Sequence, residues 1–226
     1  MFVTLLAGLL LSLICRAEDK PSLDWPNLAA YEKANIKVKA QSPGTVKVVF
    51  MGDSITEFWT PNFWNESRVN RGISGQTTPQ MLLRFRSDVL ELKPKVVVIL
   101  AGTNDVAENT GPARVETIIG NIVSMVELAQ TNGLKVVLGS ILPAAEFPWN
   151  KTLKPAEKIM ALNRNLRAYA MQKQLTFVDY FSEMVDDKNG LRLEYSEDGV
   201  HPNKAGYDVM ERLVTQALAV HLKAEQ

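Results

Sequence analysis

The chain has 226 residues and a mass of 25.1 kDa, the size of one larger single-core domain. Its 25 Lys and Arg balance 25 Asp and Glu, which leaves no basic surplus to bind nucleic acid and no charged tail. Hydrophobic residues make up 46%, as in an ordinary globular protein, and there is no internal repeat or low-complexity tract.

Residues 2–14 are almost wholly apolar and meet Cys15-Arg16-Ala17-Glu18-Asp19. A bilayer span takes ~20 apolar residues, so this run is too short to cross comfortably. It reads as a secretory signal, residues 1–17, cut after Ala17 where small residues suit the cleavage rule. Residues 18–226 would then form a single domain, exported to the periplasm or outside a bacterial cell, with no stable membrane span after processing. The segment lacks Lys and Arg before its apolar core, so an uncleaved N-terminal anchor is the alternative. Cutting there removes Cys15, the only cysteine.

Leu28, Ala29, Tyr31 and Ala34 fit one face of a short helix, and Gln41-Ser42-Pro43-Gly44 is a turn signal. Residues 46–51 are short, apolar and rich in valine, so a buried strand is predicted, delivering Gly52-Asp53-Ser54 at its end. Aromatic residues follow at Phe58, Trp59, Phe63 and Trp64. A second strand is expected over residues 67–71, then Gly72-Ile73-Ser74-Gly75 and a helix with Thr78 as cap and Pro79 first inside it. Met81, Leu82, Phe85, Val89 and Leu92 share its apolar face. Residues 95–101 form the strongest strand pattern, continuous rather than alternating, as in a central parallel strand covered on both faces. Gly102-Thr103-Asn104-Asp105 follows it. A helix over 114–131, a strand over 134–141, a helix carrying Ile159, Leu162 and Leu166, a strand over 175–178 and a last helix bearing Tyr207, Met210 and Val214 complete the alternation. This pattern predicts an α/β fold, a doubly wound parallel sheet with helices on both faces.

In such a sheet the loops after the strands gather on one edge. Ser54, Gly75 and Asn104 fall just past predicted strands, and Asp198 and His201 lie in the loop after the fifth. A serine hydroxyl is a poor nucleophile until an imidazole accepts its proton, and His201 is one of only two histidines; His221 sits in the last helix. Asp198 is placed to orient His201 and stabilise the imidazolium. The N–H groups of Ser54 and Gly75 and the amide of Asn104 are candidate oxyanion donors. Singly, each of these residues also reads as a cap, a turn or a loop glycine. Asp53, Phe58, Trp59, Trp64, Phe147 and Trp149 are candidate walls of a substrate pocket.

Taken together, Gly52-Asp53-Ser54-Ile55, Gly75 in its glycine-rich loop, Gly102-Thr103-Asn104-Asp105 and Asp198-Gly199-Val200-His201-Pro202 resemble the four blocks of the GDSL, or SGNH, hydrolase family, in order. The resemblance implies a flavodoxin-like three-layer α/β/α sandwich with a five-stranded parallel sheet. It also implies a serine esterase or acylhydrolase with Ser54 as nucleophile, Asp198 and His201 completing a triad, and Gly75 and Asn104 in the oxyanion hole. It implies neither cofactor nor metal. Ile55 stands where the family name has leucine, a swap of similar volume. The α/β-hydrolase elbow, Gly-x-Ser-x-Gly, is not met because Thr56 takes its last position. No long apolar lid segment is evident, so the expected substrate is a small acyl ester, acetyl esters foremost, with a carbohydrate alcohol as one option. A lysophospholipase or thioesterase of the same family is the alternative. From other classes, a metal-dependent phosphoesterase would use Asp53, Asp105 and Asp198, and a silent carbohydrate-binding protein would use Trp59, Trp64 and Trp149.

Overall fold

The computed structural model describes residues 24–222. The signal reading of residues 1–17, including Cys15 and Ala17, lies outside them. Five strands form one all-parallel sheet: β1 Val48–Gly52, β2 Arg68–Gly72, β3 Val96–Leu100, β4 Lys135–Gly139 and β5 Thr176–Val178. Their order is β2-β1-β3-β4-β5, so the chain winds one way from β1 to β2 and the other way from β3 onward. The helices are α1 Glu32–Lys39, α2 Ser54–Glu57, α3 Thr78–Asp88, α4 Thr103–Val106, α5 Val115–Thr131, α6 Pro155–Gln172, α7 Tyr180–Met184 and α8 Lys204–Leu222.

Strand side chains alternate between faces, and here both faces are covered. Val49 and Met51 of β1 pack with Met81 and Phe85 of α3, Ile118 and Ile122 of α5 and Ile159 and Leu162 of α6. Val48 and Phe50 point the other way, to Tyr207, Met210 and Val214 of α8. That explains why β1 and β3 are apolar throughout: every residue in both is buried. The result is the three-layer sandwich expected.

The start of α3 differs by one residue from expectation. Thr77 is the cap, its N–H donating to the Gln80 side chain at 3.0 Å, while the Thr78 hydroxyl is drawn off to Asp105 at 2.6 Å. The apolar face of α3 also holds a charge. Arg84 is completely buried, at i+3 from Met81, and pairs with Asp88 at 2.9 Å. Its guanidinium donates to the carbonyls of Arg71 (2.9 Å) and Gly52 (3.0 Å), the ends of β2 and β1, and to Gln76. Asn35 of α1 donates to Asp88 at 2.6 Å and accepts from Arg71 at 2.9 Å. The N-terminal segment therefore does more than pad the core: Tyr31 donates to the carbonyl of Gly72, and Gln76 and Gln80 donate to the carbonyls of Pro26 and Trp25.

Replacing Arg84 by Met takes the charge partner from Asp88 Oδ2 and one donor from each of two strand-end carbonyls, and breaking such a buried pair costs about 3–5 kcal/mol. Chemical denaturation at neutral pH should show a loss of that order in Arg84→Met; a loss below about 1 kcal/mol would mean that side-chain packing, not the guanidinium, holds these strand ends.

Candidate active site

The site is built where the strands stop. Gly52 ends β1 in close quarters: a Cβ there would lie 2.1 Å from Thr56 Oγ1 and 2.8 Å from the Leu100 carbonyl. Its backbone does not enter the left-handed region, so the glycine supplies room rather than a turn. Asp53 then caps α2, Oδ1 accepting from Ile55 N–H at 3.0 Å, which makes Ser54 the first helical residue instead of the cap. An N–H at that position has no intrahelical partner. Tyr207 of α8 donates to the Ile55 carbonyl at 2.9 Å and fixes the short helix from behind.

Ser54 Oγ lies 3.0 Å from His201 Nε2, and His201 Nδ1 lies 2.7 Å from Asp198 Oδ2. The other oxygen, Oδ1, accepts the N–H groups of Val200 (2.9 Å) and His201 (2.8 Å). Ser196 steadies the same loop: its hydroxyl accepts from Gly199 N–H at 2.9 Å and lies 2.8 Å from the His201 carbonyl. Desolvation pushes the Asp198 carboxyl up, but the hydrogen bonds from the His201 ring and the two N–H groups outweigh it and hold the group down at about 2. Asp198 is thus ionised across the neutral range and accepts the Nδ1 proton, which turns the lone pair of Nε2 toward Ser54.

Gly75 lies in the loop after β2, three residues past its end, with φ 76°, in the left-handed region that favours glycine. Glu57 holds this loop to α2 by accepting the Ser74 N–H at 2.6 Å. Asn104, in α4 after β3, is buried; its Nδ2 donates to the Gln76 carbonyl at 3.1 Å. Among the described residues no protein acceptor lies on the N–H of Ser54 or of Gly75. Asp105, the other carboxylate of that block, accepts both the N–H (2.9 Å) and the hydroxyl of Thr78 and joins α4 to α3.

The candidate pocket residues divide. Phe58 and Trp149 are exposed at 56% and 48%, and their rings lie 5.8 and 6.1 Å from the His201 ring. Trp59 and Phe147 are interior. Trp59 stacks on Phe63 at 5.1 Å in a cluster around Phe50, and Phe147 lies beneath Trp149 at 5.2 Å. Trp64 is half-buried in that cluster, its indole donating to the Trp59 carbonyl at 3.2 Å. Asp53 is buried under α2, with its carboxylate used to cap that helix. Of three tryptophans proposed as sugar platforms, only Trp149 presents an exposed face. Asp53, Asp105 and Asp198 each serve a separate partner, and among the described residues no three His, Cys, Asp or Glu side chains gather as a metal site. No described helix is long and apolar enough to cross a membrane.

A family model described as the GDSL-like lipase/acylhydrolase family matches residues 50–209, a span that holds all four blocks. The chain belongs to this family. The structure of a GDSL-like lipase from Bacteroides thetaiotaomicron VPI-5482 is similar, with a TM-score of 0.84 and 47% identity over 87% of this chain and 99% of that one. Platelet-activating factor acetylhydrolase IB subunit alpha2 of Homo sapiens is 36% identical over 110 residues, 45% of this chain and 46% of its own. Esterase TesA of Pseudomonas aeruginosa is 34% identical over 135 residues, 59% of this chain and 60% of its own. The chain spans about half the length of these two curated relatives.

Asp53 gives this GDSL enzyme a titration of its own. Burial pushes its carboxyl from 3.8 to about 7, against the pull of the Ile55 N–H and the nearby His201, and Oδ2 has no hydrogen-bond partner among the described residues. Between those values the folded protein keeps a proton that the unfolded chain has released, so stability falls as pH rises from about 4 to about 7. Asp53→Asn keeps an acceptor for Ile55 and removes the titration. The unfolding midpoint of the wild type should therefore lose ground to that of Asp53→Asn across this window; parallel midpoints would mean that Asp53 is ionised throughout.

Proposed function

We propose that this GDSL-family enzyme hydrolyses short-chain acyl esters, acetyl esters foremost, by serine nucleophilic catalysis. The observation that carries the reading is the continuous relay from Ser54 Oγ through His201 to Asp198, with distances of 3.0 and 2.7 Å. His201 Nε2 takes the proton as Ser54 Oγ attacks the carbonyl carbon, and the ionised Asp198 stabilises the imidazolium. Charge gathers on the carbonyl oxygen, for which the N–H groups of Ser54 and Gly75 and the Asn104 amide are the waiting donors. Collapse of the tetrahedral intermediate breaks the ester C–O bond, and the alcohol leaves with the proton from His201. Water then repeats the cycle on the acyl-enzyme, releasing the acid and Ser54.

The substrate's two halves are assigned by this chemistry. The alcohol must leave beside His201, where the exposed faces of Phe58 and Trp149 suit the C–H faces of a sugar ring. The short acyl half is supported by the acetylhydrolase name of a relative 36% identical over 110 residues.

With p-nitrophenyl esters, turnover should peak at acetyl to butyryl; a peak at octanoyl or longer would overturn the short-acyl reading in favour of a lysophospholipase or thioesterase. Ser54→Ala and His201→Ala should each lose about a thousandfold or more in kcat, because the two act as one unit. A His201→Ala variant with a large fraction of wild-type turnover would remove it as the base.

A further inference from the structure

Gly75 lies in the loop after β2 and Asn104 in α4 after β3, yet one side chain touches both. Asn109 Nδ2 donates to the Gly75 carbonyl at 3.2 Å and to Asn104 Oδ1 at 2.9 Å. Asn109 follows α4 by a tight reversal in which Glu108 takes a left-handed φ of 60° and the Asn109 N–H returns to the Asn104 carbonyl at 3.1 Å. Non-glycine residues hold that conformation only where the surroundings require it.

The direction of these bonds is fixed from one end. A backbone carbonyl can only accept, so the Gly75 carbonyl requires the NH2 of Asn109, not its oxygen. The same NH2 then faces Asn104 and requires its Oδ1. That places Asn104 Nδ2 on the opposite side, where the Gln76 carbonyl takes one hydrogen at 3.1 Å and the second is left for the site. An Asn104 amide turned the other way would set Oδ1 against the Gln76 carbonyl and present the substrate oxyanion with an acceptor.

We propose that Asn109 is a positioning residue for ester hydrolysis: by donating to both Gly75 and Asn104, it joins the Gln76 carbonyl in holding the orientation of the Asn104 amide and fixes the placement of the Gly75 N–H. This rests on the reading of those two groups as oxyanion donors. Asn109 itself is exposed and touches no reacting atom. Its effect is on the transition state, because the oxyanion needs the donors more than the ground-state carbonyl does.

The test compares Asn109→Ala with Asn109→Asp, alone and combined with Asn104→Ala, on an acetyl ester. A carboxylate at 109 cannot donate and repels both Asn104 Oδ1 and the Gly75 carbonyl, whereas alanine lets water stand in. Asn109→Asp should lower kcat by roughly tenfold or more, approaching the ~100-fold expected of losing one oxyanion donor. Its KM should stay close to wild type, its loss should exceed that of Asn109→Ala, and it should add little once Asn104→Ala is present. Thermal midpoints confirm that both variants fold. Equal effects of Asp and Ala, a loss that simply adds to that of Asn104→Ala, or a change confined to KM would overturn the proposal. A Ser54→Ala control separates the failures: hydrolysis retained there overturns the nucleophile reading itself, whereas abolished hydrolysis with an unaffected Asn109→Asp overturns only the role of Asn109.

Discussion

The in-register parallel pairing of β1 with β2 and β3 is the constraint on which the rest of the site depends. Gly52 aligns with Gly72 on one side and with Leu100 on the other. Three strands therefore end at one level, and Ser54, Gly75 and Asn104 follow within a few residues of that line. The strand order places β1 beside β3, where the chain changes winding direction, and ligands bind in such crevices. Arg84 locks two of the three ends by donating to the carbonyls of Gly52 and Arg71. A buried charge is an expensive clamp, and its cost is offset only because Asp88, Gln76 and those carbonyls satisfy it.

Two aspartates near Ser54 show how environment separates residues of one type. Asp198 gathers donors on both oxygens and is held down at about 2, so it serves as a permanent negative charge behind His201. Asp53, one residue from Ser54, is sealed under α2 with one oxygen unpartnered, and burial pushes it up to about 7. In the proposed reaction the first supports the imidazolium as it forms. The second is a cap whose proton is retained because water has been removed from it.

Much of this was legible in the sequence, for identifiable reasons. Buried parallel strands leave continuous apolar runs, which mark β1, β3 and β4, whereas β2 is half polar and only partly buried; all five strands could be placed within two residues, and strand ends on one edge explain why Ser54, Asn104, Asp198 and His201 could be grouped. Side chains that find partners far along the chain left no periodic trace. Arg84 sits on the apolar stripe with Met81, Phe85 and Asp88, and its i,i+4 spacing from Asp88 was the available signal for a buried pair. Asn109 gave no signal beyond lying five residues after Asn104. The aromatic residues were misplaced in part because sequence shows their density but not their direction: Trp59 and Phe147 turned inward, while Phe58 and Trp149 stayed beside His201.

The central claim is that Ser54 forms a covalent acyl-enzyme under the control of His201. It is tested most directly by acid-quenching the enzyme during turnover of p-nitrophenyl acetate and reading its peptides by mass spectrometry. The account predicts one acetyl group on the peptide that carries Ser54, absent in Ser54→Ala. Turnover with no acyl group on any peptide, or an acetyl adduct elsewhere that persists in Ser54→Ala, would contradict it.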